Sequence, residues 1–587
     1  MDRQSRALLT LLLVAAILIP GWWVWRSLQP ATPEAPAQAA DAPPQRGGTL
    51  VATMRQEPRS FNRFAVQDFA ADLVATLTQG RLVRVNRATG EVEPWLAESW
   101  QTGSDGRTFT LTLRDGVTWS DGVPFTADDV LFSFEALYDP AAQSVLGSSM
   151  RIDGDPLTVT APDTRTVIVS FPHVFGPGIR LLDNLTILPR HVLGPTLQDG
   201  TFKDAWSAAT PPADIVGTGP FVLARYDAGQ RLVFERNPRY WRKDADGTQL
   251  PYLDSLVLEI VPDQNAELVR LQAGQSDMVG RELRAEDIAV LRPLERQGQL
   301  QIIELGVTTD PDSFFFNLKP AKWEGDTRRA WLPTEAFRQA ISHAVDREAF
   351  ANTVFLGAAV PIHGPVTPGN TRWFDPNKPR YEYSPEKARA LLSSLGLENR
   401  DDDEWLEDAA GTEARFSVLT FRGNTVLERS VAFLADDLRQ VGIAVDVVPL
   451  EQGALIQQML GGTFESIFFN FSASDLDPAM SKDLWVSNGG AHVWNIGQET
   501  PATPWEAEID RLMAEQASTL DYEQRKQLFD QVQTIFAEHL PIINFAAPRL
   551  YMGVSARVTH LTPSILRPQL LWSADTIAVA PGGAATP

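Results

Sequence analysis

Adjacent carboxylates are the first candidates for chemistry in this chain, at Asp128-Asp129, Asp401 to Glu404 and Asp436-Asp437. Two positioned carboxyl groups, one protonated and one charged, can hydrolyse a glycosidic bond. Here 74 of 587 residues are acidic, so such neighbours arise by chance, and none of the pairs argues for glycosidase chemistry. The seven histidines are scattered. His343 falls on an expected helix as a structural residue, and His492 beside Trp494 is the one to watch. There is no H-E-x-x-H, no P-loop and no G-x-S-x-G nucleophile turn. Gly217-Thr218-Gly219 lacks the third glycine and the helix of a dinucleotide fingerprint, and reads as a turn. The chain has no cysteine, which excludes disulfides, thiol catalysis, cysteine zinc sites and lipidation at an N-terminal Cys. Metal ligation needs several convergent ligands, and the sequence shows no cluster. The expectation is a protein that is not an enzyme and that carries no metal and no cofactor.

The elements around these residues alternate irregularly between short strands and helices. Residues 49–54, 167–171 and 256–261 read as strands. Residues 109–113 alternate and run into Asp115-Gly116, which is hairpin chemistry. Residues 126–138 read as a helix, capped by Thr126 with Asp128 and Asp129 in its first turn. Further helices are expected over 335–350, 427–440 (with Gly442 as C-cap) and 522–538, and a strand over 443–448. The pattern suggests α/β lobes and shows no internal repeat.

At 587 residues and 44% hydrophobic composition, the chain can build several cores. Its net charge is −23. The first 45 residues contribute nothing to it, because Arg3, Arg6 and Arg26 balance Asp2, Glu34 and Asp41. An acidic body of this kind repels phosphate backbones and anionic headgroups, so nucleic acid is not an expected partner. Arg3 and Arg6 precede an apolar run over residues 7–25. Its 19 residues and its Trp22, Trp23 and Trp25 favour an uncleaved anchor. The competing reading is a signal peptide, with Ala37-Gln38-Ala39 as its cleavage pattern. Either way the body is exported. Residues 30–45 read as a Pro/Ala-rich linker.

Residues 97–121, AESWQTGSDGRTFTLTLRDGVTWSD, and the following DGVPFTADDVLFSFEAL resemble the signature of the family 5 solute-binding proteins, the oligopeptide/dipeptide/nickel class. Gly47-Gly48-Thr49-Leu50, Glu57 to Asn62, VGTGPF at 216–221, Asn237 to Trp241, LQAGQSD at 271–277, FRQAISHAVDR at 337–347 and SPEKARALL at 384–392 follow in that family's order. The resemblance implies an α/β fold of the periplasmic-binding-protein type II class, with two large lobes, a hinge and an extra small domain, after the N-terminal hydrophobic segment. It places lobe I over 46–300, with the small domain at about 91–210. Lobe III follows over 301–539, a return to lobe I over 540–575, and a flexible tail over 576–587.

The resemblance also implies a pocket. In peptide-binding relatives an Asp three residues before an acidic-Pro pair takes the ligand ammonium. Here the pair is Asp477-Pro478 and the earlier position is Ser474, a departure, with Asp475 one residue away as a substitute. Phe471 keeps an apolar wall. Arg422 lies near where dipeptide binders place an Arg for the ligand carboxylate, which a guanidinium grips in bidentate fashion. Trp494 and Asn495 are expected in the pocket and Trp485 in the core. Ser60, Phe61 and Asn62 are the contacts expected from the other lobe, with Arg63 where the family has Pro. The function implied is capture of peptides or peptide-like solutes and delivery to ABC permease subunits, by a monomer outside the cytoplasm. A membrane-anchored receptor, and a binder of an oligosaccharide, an opine or a metal chelate, are the alternatives.

Overall fold

The computed structural model describes residues 43–470 and 476–580, and the folded body begins at Arg46. The expectations for residues 7–25 and for most of the 30–45 linker lie outside the described residues. Among the described residues, no helix is long and apolar enough to cross a membrane.

The first sheet forms around Thr49–Met54, whose residues after Thr49 are all buried. It pairs in parallel with Ser255–Ile260, which runs antiparallel to Arg231–Arg236, itself antiparallel to Phe221–Asp227. On its other side Met278 bridges Ala52 to Val554. The last long strand, Ala546–Ser555, therefore lies inside this sheet, antiparallel to Leu300–Val307. One hydrophobic core gathers Leu50 through Leu300 and returns with Met552 through Val579. Residues 576–580, expected as flexible tail, are packed here: Ile577 is buried and Ala578–Val579 pairs with Val558–Thr559.

A smaller antiparallel sheet runs in the order Ala97–Thr102, Thr108–Leu113, Thr166–Ser170, Thr158–Thr160. The hairpin forms one turn earlier than its sequence suggested. Asp105-Gly106 joins the first two strands, with Gly103 N donating to Thr108 O, whereas Asp115-Gly116 leads into a loop. Helix Ala127–Tyr138 packs on this sheet. The Asp129 carboxylate accepts from Thr126 N (2.9 Å), Arg190 N (3.0 Å) and Trp119 Nε1 (3.2 Å), so one member of the first carboxylate pair is a structural hub. Gly217-Thr218-Gly219 is a turn pressed on the end of helix Phe69–Thr78. A Cβ at Gly217 would meet Thr78 O at 1.8 Å, which only glycine avoids.

The second sheet runs Asp312–Phe316, Ser466–Asn470, Arg415–Phe421, Ala444–Leu450. The last three strands are parallel and the first is antiparallel to its neighbour. Side chains alternate along Asp312–Phe316: Phe314 and Phe316 enter one core, Phe315 the other. Helix Thr425–Arg439 packs against this sheet; its C-cap is Gln440, and Gly442, at φ +83°, lies two residues beyond. The helix expected over 335–350 is two helices, Glu335–Ala344 and Arg347–Val354. Asp346 breaks it. Its carboxylate caps the second helix at Glu348 N and Ala349 N, while Asp437 Oδ2 accepts Asp346 N at 3.0 Å.

Two chain segments cross between the sheets, side by side. Leu300–Val307 continues through residues 308–311 into Asp312–Phe316, and residues 543–545 lead back into Ala546–Ser555. The ribbon is held by Thr308 N to Pro548 O (2.9 Å) and by reciprocal Phe314 and Ile543 bonds of 2.9 and 2.8 Å.

Candidate functional site

The parallel strands of the second sheet end at Phe421, Leu450 and Asn470, and Asp312 begins its antiparallel strand at the same edge. Open α/β sheets bind ligands at this carboxyl edge. The crossing ribbon enters there. Beside it lies a cavity of about 310 Å³, lined by Thr309, Pro311 and Ser313 of the ribbon, by Val366, Thr367 and Asn370, and by residues between Leu476 and Trp485. Its wall is largely apolar, with Trp485, Leu476, Phe529 and Ile542, and Asp483 is the one ionisable residue among the described lining. Thr367 Oγ1 donates to Thr308 O (2.5 Å) and Asn370 Nδ2 to Leu476 O (2.8 Å), so the 365–370 loop ties the ribbon to the far wall.

Electrostatics at the ribbon are unusual. Asp312 is fully buried, and burial pushes its carboxyl up to about 7, against one hydrogen bond from Asn470 Nδ2 at 2.8 Å. Below it, Arg347 gives its guanidinium to backbone oxygens of Ile362, Asn544 and Ser342. Burial, with Arg347, Arg380 and Lys378 nearby, pushes His363 down to about 3. The first sheet also ends in a polar loop. Glu57 accepts from Tyr226, and burial with that carboxylate raises the phenol to about 12.

The sequence matches the family described as bacterial extracellular solute-binding proteins, family 5 Middle, over residues 91–492, about two thirds of the chain. The chain belongs to this family. A probable ABC transporter-binding protein of Deinococcus radiodurans is 28% identical over 88% of this chain and 89% of its own length. The oligopeptide-binding protein AppA of Bacillus subtilis is 25% identical over 94% of this chain and 95% of its own. Its solved structure with a nonapeptide superposes at a TM-score of 0.67, covering 92% of this chain and all of the other. MelB of Agrobacterium fabrum C58, solved with stachyose, shares the fold at TM-score 0.68 and 23% identity, over 92% of this chain and 86% of that one.

Within this family 5 fold the expected site residues are dispersed. Arg422 stands on the carboxyl edge, exposed, donating to Pro449 O (3.1 Å) and 3.6 Å from Glu451. Asp477 is buried against Arg525 and also accepts from Ala479 N (3.0 Å). Trp494 is enclosed in a core, its Nε1 donating to Glu506 (3.2 Å), and Asn495 is buried beside Gln498. Trp485 is the tryptophan that reaches the cavity wall. Ser60, Phe61 and Asn62 are buried in the first region. Ser60 Oγ donates to Trp206 O (3.1 Å), Asn62 Nδ2 to Phe202 O (2.9 Å), and Phe61 meets Tyr226 edge-on. Phe471, Ser474 and Asp475 lie outside the described residues.

His492 is buried with Nε2 3.2 Å from Glu506, and His343 bonds Glu382 O, so both are built into the packing. Asp401, Asp403 and Glu407 bring oxygens within 4.8 Å of one another on a loop where the two aspartates are exposed. Sequence reasoning did not single out Ser313 and Asn370, which line the cavity, or Asp312 and Asn544, which are buried behind it. The available signal was one acidic residue opening the apolar run Phe314-Phe315-Phe316.

Proposed function

We propose that this chain is the extracytoplasmic solute-binding component of an ABC importer. It captures peptides or peptide-like solutes at the junction of its two sheets and hands them to permease subunits, as a monomer tethered by residues 7–25. The observation that carries this reading is the largely apolar cavity beside a two-strand ribbon, at the carboxyl edge of the second sheet. Three of its lining residues, Thr309, Pro311 and Ser313, belong to the ribbon, so a hinge motion at the ribbon bears on the shape of the site. Membership of family 5 and the likeness to an oligopeptide-binding protein support the ligand class. Apolar walls with a few hydroxyl and amide groups suit a ligand read through its backbone and small side chains.

Native mass spectrometry of the gently purified full chain tests the reading. A set of adducts matching peptides of mixed sequence is expected. A single non-peptide adduct overturns the peptide assignment.

A further inference from the structure

A small cavity of about 30 Å³ lies inside the first region, at the end of helix Phe69–Thr78, and shares no lining residue with the cavity beside the ribbon. Its walls come from stretches far apart in the chain, within residues 76–95, 220–240 and 571–575. Three charged side chains face it. Asp575 is paired, its Oδ2 accepting from Tyr240 OH (3.0 Å) and from Arg242. Arg84 is paired with Glu93, its Nε donating at 2.6 Å, and lies over the rings of Trp95 and Trp572, 3.7 and 4.9 Å from their centroids. Arg81 differs. It is 8% exposed, its Nε is buried with no hydrogen-bond partner, and its guanidinium forms no hydrogen bond among the described residues. The carboxylate oxygen it faces, Asp72 Oδ1, is 4.0 Å away and already accepts Arg63 Nε at 2.6 Å. Gln79 Oε1, on the same wall, is buried without a donor.

A guanidinium carries five N–H donors and a permanent charge. Enclosed among indole and aliphatic walls, it is costly unless an acceptor, and preferably a negative one, meets it. The cavity has room for about two water-sized particles. Two waters supply acceptors but no charge, and Arg63 and Arg81 share the single carboxylate of Asp72, which leaves one positive charge over. We infer that the cavity binds a small inorganic anion of halide size on Arg81, beside a water that donates to Gln79 Oε1. The volume shuts out phosphate and organic carboxylates. The site is separate from the solute-binding reading and does not depend on it. It lies where the returning C-terminal segment meets the helix end, so a bound anion fastens residues 571–575 to the first region.

Thermal unfolding of the full chain, with sodium gluconate replaced stepwise by sodium bromide at constant ionic strength, tests the site. The melting temperature is expected to rise by about 2 °C and then level off, as the filling of one site requires. Arg81→Met should lose the rise. Gln79→Glu, which sets a carboxylate on the same wall as Arg81, should melt at or above the wild type in gluconate and ignore bromide; it decides the matter if Arg81→Met does not fold. Crystals grown in bromide should show its anomalous signal within hydrogen-bond reach of Arg81. A flat wild-type profile overturns the inference, and water alone then fills the cavity. A cavity without bromide signal, or a rise that persists undiminished in Gln79→Glu, overturns it equally.

Discussion

Arg525 grips Asp477 through both terminal nitrogens, at 2.9 and 2.6 Å, in a pair whose side chains are almost wholly buried. The guanidinium also lies over the Trp373 ring and donates to Gln516 O. Removing one partner of such a pair strands a charge in a dry setting. Arg525→Ala is expected to lose about 3–5 kcal/mol in urea unfolding. Arg525→Lys should recover only part of it, because an ammonium cannot hold both oxygens in a planar fork.

The two tryptophans separate stability from binding. Trp494→Ala opens a hole in a core and removes a donor from Glu506, which also holds His492, Ala502 N and Thr503. A loss of about 3–5 kcal/mol is expected, read by thermal unfolding. Trp485→Phe keeps a ring against Phe529 and Phe536 but reshapes the cavity wall. Its expected effect is on ligand affinity, measured by calorimetry with the co-purified solute.

Asp312 and His363 make stability depend on pH in opposite directions. Burial raises Asp312 to about 7, so the fold holds a proton that the unfolded chain has released. The resulting penalty is absent below about pH 4, grows as pH rises to 7 and then stays constant. Asp312→Asn should therefore be more stable than wild type at pH 8, by up to about 4 kcal/mol, and indistinguishable at pH 4 in paired urea titrations.

His363 is pushed down to about 3, so the fold resists its protonation. Stability is full above the unfolded value of about 6.5 and is lost as pH falls towards 3. His363→Gln should flatten that acid limb of the melting-temperature profile while leaving pH 8 unchanged.

Contacts between the smaller sheet's region and the second region predict a kinetic effect. Lys482 reaches Asp153 at 2.8 Å, Arg372 pairs with Glu91, and Gly176 N donates to Ala517 O at 2.5 Å. Exposed pairs are worth about 0–1 kcal/mol each. Asp153→Lys should speed ligand release by less than about fivefold in stopped-flow measurements, and the difference from wild type should shrink as salt is added.

Local pattern was enough for the strand Thr49–Met54 and the helices Ala127–Tyr138 and Tyr522–His539, because their apolar spacing and caps lie within a few residues. The break at Asp346 is partly local, an N-cap inside an apparent helix, but Asp437, 91 residues on, completes it. Trp485 is in the core as expected, while reaching the cavity wall, and that Trp494 joins it in the core was not legible. Both sit in apolar sequence, and it takes Glu506, brought up by the helix Pro504–Ser518, to enclose Trp494 rather than leave it facing a pocket. Asp312 was invisible for the same reason: its partner Asn470 is 158 residues away. What a sequence hides at this edge is which polar atoms find each other across the sheet.

The strand Ala546–Ser555 lies between Leu300–Val307 and the short Ala359–Pro361, and joins through Met278 the sheet built from the first 260 residues. A ribosome making this chain therefore releases the N-terminal region with a gap in it, and more than 200 further residues emerge before the missing strand does. The contiguous second sheet meets no such delay and can close while its neighbour waits. Late arrival of one strand thus sets an order of assembly opposite to the direction of synthesis.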